Sequence, residues 1–472
     1  MGKLSIKRDF SAGEKNREQR FTPEKKKKQR KRGLSYIQVI ALVFLLIIFL
    51  GTAVLMLPVS SKSGQHTTLS GAFFTATSAT CVTGLVVYDT FSHWTTVGQA
   101  AILVMIQIGG LGFMSVAVLF SLVLRRRIGL KERELMQEAI NTLQVGGIVR
   151  LMKTVLLGTF LTELAGAILL SVKFIPEMGA ARGIWNSVFY AVSAFCNAGF
   201  DLAGRTAAFS SLTAYAGDVY VNIVIMLLII IGGIGFLVWE DVLKFGVRFS
   251  KYRLHAKLAI VTSAALILTG FAAYFVFEYD KTLAGMGIGQ KILCSLFQSV
   301  TFRTAGFATV DLSGMSPSMT GIACVLMLIG GSPGSAAGGL KTTTAAVAFL
   351  GAISVIRRKK SITAFGRRFE DELLKKVCAI AAVYFTVAVL AVSLLCAAEN
   401  ASLQAAAVEV FSAVGTVGLS MGLTPGIGVF SRILLSVLMY FGRVGGLSLV
   451  FALAGEENAA PITYPVEKIS VG

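Results

Sequence analysis

The sequence predicts an all-α integral membrane protein in which four similar repeats surround one pseudo-four-fold axis. Three observations lead to this prediction: an apolar composition, charge-free stretches long enough to cross a bilayer, and a pattern of span, short helix, loop and span that recurs four times. Of the 472 residues, 55% are apolar and 15% are charged, and the mean hydropathy is +0.74. Soluble domains carry about 45–50% apolar and about 25% charged residues. The composition therefore favours a bilayer as the solvent.

Eight apolar stretches are candidates for membrane spans. The first, at 36–58, contains no charged residue, and about 20 apolar residues suffice to cross the hydrocarbon core. Because further stretches of similar length follow, the first is not the signal peptide of a secreted protein. The predicted spans of this multi-pass protein are 36–58, 95–124, 148–174, 216–243, 258–279, 317–356, 377–397 and 426–455.

A shorter, half-apolar segment lies between the two spans of each pair. These segments are too short to cross a bilayer, and their length suits a re-entrant pore helix. They occupy residues 69–80, 183–196, 290–301 and 402–414. The predicted pore repeats are 36–124, 148–245, 258–356 and 377–455, with a basic tail at 1–35 and a second tail at 456–472.

The net charge of +19 is concentrated beside the predicted spans. Thirteen of the 44 Lys and Arg lie in the first 32 residues, and 34 share one side if the tails and the loops after spans 2, 4 and 6 lie together with Arg150 and Lys153 at the start of span 3. The positive-inside rule makes that side cytoplasmic, so we expect both termini in the cytoplasm and all four short helices entering from outside. Basic residues in these places suit the lipids of the cell membrane, and nucleic-acid binding is not expected. The six Cys and three His show no metal-ligand spacing.

A glycine-containing loop follows each short helix, and the glycines are separated by 115, 107 and 112 residues, which is the repeat length. A dehydrated K⁺ needs several oxygen ligands, which rings of backbone carbonyls can supply. Turning successive carbonyls to one side requires backbone angles open mainly to glycine. The loops are therefore the predicted K⁺ selectivity filter. Their residues are Val82, Thr83, Gly84, Asn197, Ala198, Gly199, Thr304, Ala305, Gly306, Thr416, Val417 and Gly418.

Each repeat also carries a glycine pair in its second span. Close helix packing explains glycine in membrane helices at least as well as a hinge does. The pairs are Gly109-Gly110, Gly232-Gly233, Gly330-Gly331 and Gly445-Gly446.

The sixth span is rich in glycine and proline. Five glycines and one proline fall between residues 330 and 339, and in a helix glycine costs about 1 kcal/mol and proline about 3 kcal/mol relative to alanine. An unwound segment is predicted, with a kinked, closely packed helix as the alternative. Its residues are Gly331, Ser332, Pro333, Gly334, Ser335, Ala336, Ala337, Gly338 and Gly339.

Two charged residues lie close to the predicted filter. Arg303 directly precedes Thr304, and Glu409 lies in the fourth short helix. Unpaired charges at membrane depth are costly, and the loops of adjacent repeats are neighbours. We therefore expect Arg303 and Glu409 to form an ion pair that supports the filter. The alternative is that Glu409 caps backbone amides of its own loop while Arg303 reaches outward.

Acidic residues follow three of the four loops. Asp89, Asp201 and Asp311 would either raise the local cation concentration or cap nearby turns.

The loop motifs resemble those of the Trk/Ktr/HKT superfamily of potassium transporters, and within it the KtrB type of membrane subunit. The motifs are Thr83-Gly84-Leu85, Asn197-Ala198-Gly199-Phe200, Thr304-Ala305-Gly306-Phe307 and Gly415-Thr416-Val417-Gly418-Leu419-Ser420. The resemblance implies a K⁺ uptake channel, with residues 331–339 as an intramembrane gating loop and Arg443 of the last span facing the pore below the filter. A structural salt bridge is the alternative for Arg443.

The same resemblance implies partners. Members work as homodimers on a cytoplasmic ring of regulatory subunits of the KtrA/TrkA type. Nucleotide would bind only to that partner, since this chain contains neither a G-x-G-x-x-G in a soluble βαβ context nor a G-K-[ST] motif. The transported ion is K⁺, and Na⁺ is a candidate activator.

Two other functions are alternatives to a K⁺ channel. A secondary cation transporter coupled to Na⁺ or H⁺ would show inverted repeats and mid-span carboxylates, for which Glu163 is the candidate. A membrane enzyme is not expected, because the chain has no H-E-x-x-H, no G-x-S-x-G and no paired carboxylates at usable spacing, and no catalytic residues are assigned.

Overall fold

The structure, a computed structural model, describes residues 36–112, 148–205, 207–359 and 361–446. Within these residues the regular secondary structure consists of helices and one small hairpin. In the first two repeats the helices are α1 Tyr36–Met56, α2 Leu69–Thr80, α3 Thr90–His93, α4 Thr96–Leu111, α5 Ile148–Met178, α6 Ala180–Phe195, α7 Val219–Gly233 and α8 Phe236–Phe245. In the last two they are α9 Leu254–Phe277, α10 Ile288–Thr301, α11 Pro317–Leu328, α12 Thr342–Ile356, α13 Asp371–Glu399, α14 Leu403–Gly415 and α15 Val429–Val444. Strands β1 Thr363–Ala364 and β2 Arg367–Arg368 pair antiparallel between α12 and α13.

Each repeat begins with one long apolar helix. Helices α1, α5, α9 and α13 are each long and apolar enough to cross a membrane. Large side chains on them face outward: Phe49 is 60% exposed, Leu161 57%, Leu268 64% and Phe385 61%. Apolar surface on this scale is unusual for a soluble monomer, and it suits contact with lipid.

The second spans of the second and third repeats are interrupted near their glycine pairs. Helices α7 and α8 meet at an angle of 97°, so a sharp bend breaks the predicted span 216–243. Gly235, at that bend, has a φ of 101°, a value open mainly to glycine. The predicted sixth span is divided into α11 and α12 by residues 329–341, which supports the unwound segment over the kinked helix. Helices α4 and α15 end at Leu111 and Val444, and the remainder of the second and eighth spans, like both tails, lies outside the described residues.

The short helices α2, α6, α10 and α14 lie close to their predicted positions. Helix α2 has the predicted bounds, while α6 and α10 begin three and two residues before the predicted segments. Two of the helices have hydroxyl caps: Thr68 accepts from the Gly71 amide, and Ser402 accepts from the Ala405 amide. Such caps satisfy amides at a helix start that have no partner within the helix.

The four repeats close into a ring. The second span of each repeat packs against the short helix of the next: α4 on α6, α7 on α10 and α11 on α14. Helix α15 of the fourth repeat packs on α2 of the first, which completes the circle. This arrangement brings the C-terminal ends of the four short helices, and the loops that follow them, toward a common centre.

Candidate functional site

The four glycine loops, residues 82–84, 197–199, 304–306 and 416–418, share one backbone conformation. The first residue of each loop has a positive φ, between 52° and 67°, and the glycine has a φ between 71° and 96°. The residue between them is not in the positive-φ region. Non-glycine residues rarely adopt positive φ, least of all β-branched ones, yet Val82, Thr304 and Thr416 do so here. The same costly conformation at four equivalent positions indicates a geometric requirement.

The loops meet one another in a ring. A Cβ atom added to any of the four glycines would lie less than 3.0 Å from the backbone of the next loop. Gly84 faces Ala198, Gly199 faces the loop of Gly306, Gly306 faces Val417, and Gly418 faces Thr83. The carbonyl oxygens of the middle residues lie at these contacts, so the loops have no room for a side chain at the glycine.

Hydroxyl groups of the short helices hold the loops in place. Ser78 and Ser412 accept hydrogen bonds from the amides of Gly84 and Gly418, each at 3.0 Å. Ser193 donates to the Phe200 carbonyl at 2.7 Å, and Thr301 donates to the Phe307 carbonyl at 2.6 Å. These residues were not among the predicted site residues, although a serine six positions before the glycine in three repeats is a readable signal.

A vestibule opens on one side of the ring. This cavity of about 450 Å³ is lined by all four loop glycines and by Asp89, Asp201 and Asp311. The structure therefore brings together loops and acidic residues that are far apart in sequence.

The vestibule carboxylates also hold turns. Asp89 accepts from the Ser92 amide at 2.7 Å and from the Phe209 amide at 3.1 Å. Asp201 accepts from the Ala203 amide at 2.9 Å. Burial raises the pKa of the Asp201 carboxyl to about 6; the Ala203 hydrogen bond opposes this rise and the Asp89 carboxylate adds to it.

The unwound segment, residues 331–339, is anchored rather than loose. The amides of Ser332 and Ala336 donate to the carbonyls of Gly233 and Gly232, at 3.0 and 3.2 Å. A Cβ on Gly338 would clash with the Thr416 hydroxyl, so the segment lies directly against the fourth glycine loop. Lys341 donates to the Ala337 carbonyl at 2.8 Å.

Arg443 joins the unwound segment to the first repeat. Its guanidinium donates to the carbonyls of Ala336, Gly109 and Gly110, the last at 3.2 Å. Among the described residues no carboxylate pairs with Arg443, so the alternative of a structural salt bridge finds no support there. One side chain of the fourth repeat thus contacts backbone of the third and the first.

Comparisons with known proteins agree with this architecture. Residues 17–459 match the family model of TrkH, described as a cation transport protein. The chain belongs to the TrkH family of cation transport proteins. It is 40% identical over 454 residues to the potassium/sodium uptake protein NtpJ of Enterococcus hirae, covering 95% of this chain and 99% of that protein. It is also 40% identical over 437 residues to the Ktr system potassium uptake protein B of Bacillus subtilis, covering 92% and 96%.

A solved TrkH structure shares the fold. The potassium transporter TrkH of Vibrio parahaemolyticus superposes with a TM-score of 0.70 at 17% identity, over 90% of this chain and 86% of that one. The all-α membrane fold predicted from the sequence and the resemblance to the Trk/Ktr superfamily are thereby confirmed. Membership of a transporter family makes the chain a multi-pass membrane protein rather than an enzyme.

The predicted ion pair between Arg303 and Glu409 is wrong for this TrkH-family chain. Arg303 donates from Nη2 to the Ser263 hydroxyl at 3.0 Å. Glu409 accepts from the hydroxyls of Ser420 and Thr424 in the loop after its own glycine loop. Glu409 therefore bonds within its own repeat, largely as the alternative held, but Arg303 turns to helix α9 instead of reaching outward. Hydroxyl partners for both charges were not visible from spacing alone.

The glycine pairs pack against other backbone. Cβ atoms on Gly109 and Gly232 would meet the carbonyls of Thr80 and Phe195 at the ends of the short helices. In the fourth repeat Gly442, outside the predicted pair, has this role against Val414. In the third repeat Gly330 faces Gly338 of the unwound segment instead. This geometry favours close packing for the first three of these glycines.

Within the described ranges, no three His, Cys, Asp or Glu side chains converge in a way that could hold a metal ion. The oxygen atoms that converge at the ring belong to backbone carbonyls, which are suited to a hard monovalent cation.

Proposed function

We propose that this chain is the ion-conducting subunit of a K⁺ uptake system, with the four glycine loops as its selectivity filter. The observation that carries the proposal is the closed ring of loops, each with two positive-φ residues and each in backbone contact with the next. Rings of backbone carbonyls can replace the hydration shell of K⁺. The names of the two relatives, a potassium/sodium uptake protein and a Ktr system potassium uptake protein, support K⁺ as the cargo.

The vestibule is the entrance from outside in this proposal, with both termini in the cytoplasm. Its carboxylates would raise the local cation concentration, because clefts of one charge sign focus the field on entering ions. The short helices would present the negative ends of their dipoles to the ring and stabilise a cation there.

Residues 331–339 and Arg443 form the gate in this proposal. The segment lies against the fourth filter loop, and Arg443 holds it to the carbonyls of Gly109 and Gly110. A partial deletion within 334–337 should raise ion flux and weaken nucleotide control, provided that the variant reaches the membrane. A correctly assembled deletion variant that conducts no faster would contradict the gate.

The proposed assembly is a homodimer on a cytoplasmic ring of KtrA/TrkA-type subunits that carry the nucleotide. Na⁺ is a proposed activator, which the word sodium in the name of the Enterococcus hirae relative supports.

The central experiment is rescue of K⁺-uptake-deficient bacteria at low K⁺, with and without a regulatory partner. Growth should be restored by the wild type and lost, or become sensitive to Na⁺, with Gly84→Ser at equal membrane abundance. Normal growth of Gly84→Ser and of the matching serine variants at Gly199, Gly306 and Gly418 would contradict the filter assignment.

A transporter coupled to Na⁺ or H⁺ is the second candidate, because a carboxylate is buried inside the membrane. The side-chain amide of Gln107 donates from Nε2 to both carboxylate oxygens of Glu163 on α5, at 3.0 and 3.1 Å. In proteoliposomes with equal K⁺ on both sides and the membrane potential held at zero, the absence of net K⁺ uptake on imposing a pH or Na⁺ gradient would reject coupling. Net uptake that Glu163→Gln abolishes would support it.

A further inference from the structure

A small cavity lies behind the second and third glycine loops. It has a volume of about 20 Å³, and its polar lining consists of Asn197, Ser263 and Arg303 with the backbone of Gly233 and Gly331. Aliphatic side chains of α7 and α10 complete the lining. The cavity is therefore at the junction of two filter loops, the long helix α9 and the start of the unwound segment.

Two of the lining residues each carry a buried polar atom that lacks a protein partner within the described part of the chain. These atoms are Nε of Arg303, a donor, and Oδ1 of Asn197, an acceptor. Arg303 is 9% exposed and Asn197 is 1% exposed. Buried polar groups are almost always hydrogen-bonded, to protein or to ordered water, because leaving one unpaired is costly. Ser263 does not solve the problem, since it bonds the Nη atoms and leaves Nε free.

We propose that the cavity is the site of one structural water molecule that bridges Arg303 and Asn197. The water accepts from Nε–H of Arg303 and donates to Oδ1 of Asn197. A volume of about 10–15 Å³ is enough for one water, so the cavity has room for it. An anion such as chloride could accept from Arg303 but has no hydrogen to donate to Asn197, and a cation would meet the guanidinium charge. Water alone matches one unpaired donor and one unpaired acceptor.

The bridging water gives the buried Arg303 side chain a structural role. Arg303 follows the end of α10, where a positive charge is stabilised by the helix dipole. Through the water it joins the third glycine loop to the second, whereas the expected ion pair would have joined the third repeat to the fourth. Ser332, beside Gly331, bonds the Gly233 carbonyl at the same junction. On the proposed function, the water braces two filter loops where they meet the gate.

The direct test is a structure of the complete protein at a resolution that reveals ordered water. We expect one peak within hydrogen-bonding distance of both Arg303 Nε and Asn197 Oδ1. An empty cavity would overturn the proposal, and so would a bromide-specific anomalous signal at the site after exchange of chloride for bromide. Neither result depends on whether the chain transports K⁺, so the water site and the proposed function fail separately.

The functional test compares two variants of Ser263, which lies outside the glycine loops. Ser263→Ala and Ser263→Leu both remove the hydroxyl that Arg303 contacts, but only leucine fills the cavity and expels the water. We expect Ser263→Leu to lower K⁺ over Na⁺ selectivity at least threefold more than Ser263→Ala, measured by flux in proteoliposomes at equal protein. Equal selectivity in the two folded variants would contradict the brace. If Ser263→Leu does not assemble, the water peak in the wild type and in Ser263→Ala still decides the proposal.

Discussion

The four repeats are nearly identical at their glycine loops and differ at the glycine pairs of their second spans. At the glycine loops all four share the same pair of positive-φ residues and the same contact with the next loop. At the glycine pairs of the second spans the repeats diverge: α7 bends by 97° into α8, and residues 329–341 separate α11 from α12. Among the described residues, only the fourth repeat contributes an arginine there.

The difference has a physical reason. A cation on a symmetry axis is coordinated from all sides, so each repeat must supply the same backbone geometry. An obstruction below the ring needs to come from one repeat only, and the other three are free to change. The likeness among the repeats at the ring is therefore what the proposed filter requires, and the differences below the ring are compatible with the proposed gate.

The largest loss of selectivity should follow from replacing the glycine in one of the four loops. Gly418→Ala places a Cβ against the Thr83 carbonyl and strains a residue at φ +93°, and left-handed strain costs on the order of 1–3 kcal/mol. We expect K⁺ over Na⁺ selectivity in flux assays to fall by about tenfold, the equivalent of about 1.4 kcal/mol.

Gly422→Ala is the matched control. Gly422 has a φ of +90° and lies four residues further along, but no atom lies within 4 Å of its added Cβ. It should keep wild-type selectivity. Equal losses in the two variants would mean that backbone strain, rather than crowding in the ring, sets the effect.

A smaller effect should follow from removing the asymmetric contact below the ring. Arg443→Met loses three hydrogen bonds to backbone carbonyls, each with a net contribution of about 1 kcal/mol. We expect basal K⁺ flux to rise several-fold with unchanged selectivity.

Arg432→Met is the matched control, which tests whether the loss of any arginine from α15 raises basal K⁺ flux. Arg432 is on the same helix and also half-buried, but it bonds Ile427 and Ser70 instead of the unwound segment. Its flux should match the wild type. A rise in both variants would indicate general loosening of α15 and argue against the gate.

The sequence predicted the ring of glycine loops better than the geometry of the second spans below it. A glycine recurring at the repeat length identified all four loops, because the same geometry demands the same residue each time. The bend between α7 and α8 was missed, because residues 223–231 are apolar throughout and the glycines that follow them also suit close packing. Arg303 was paired wrongly because a serine on α9, forty residues away, offers its hydroxyl and leaves no periodic pattern in the sequence.

A change in external pH should change the rate of K⁺ uptake about twofold through one vestibule carboxylate. Asp201 has a pKa raised to about 6, whereas an ordinary aspartate titrates near 4. It is charged above pH 6 and becomes neutral as the pH falls through 6, so the vestibule loses a negative charge and cation entry slows. We expect K⁺ uptake at subsaturating K⁺ to halve, to about 50%, between pH 7.5 and pH 5.5.

Asp201→Asn should remove this pH dependence and lower uptake at pH 7.5. Asp311→Asn, at an exposed aspartate that bonds Ser313, should keep the dependence on pH. A wild-type response retained in Asp201→Asn would assign the titration to another group.

The smallest expected effect is the coupling between Arg303 and Glu409, which distinguishes bracing across repeats from bracing within them. Arg303 bonds Ser263, and Glu409 bonds Ser420 and Thr424, so the two share no partner. Mutational effects at sites without shared partners add to within about 0.5 kcal/mol. Arg303→Met and Glu409→Gln should each destabilise the protein, and their effects should sum in the double variant. The measurement is the free energy of unfolding in detergent for the wild type, both single variants and the double variant. A coupling of more than about 1 kcal/mol would restore a direct interaction between the third and fourth repeats, and the filter loops would then be held by a charge pair rather than by hydroxyl groups.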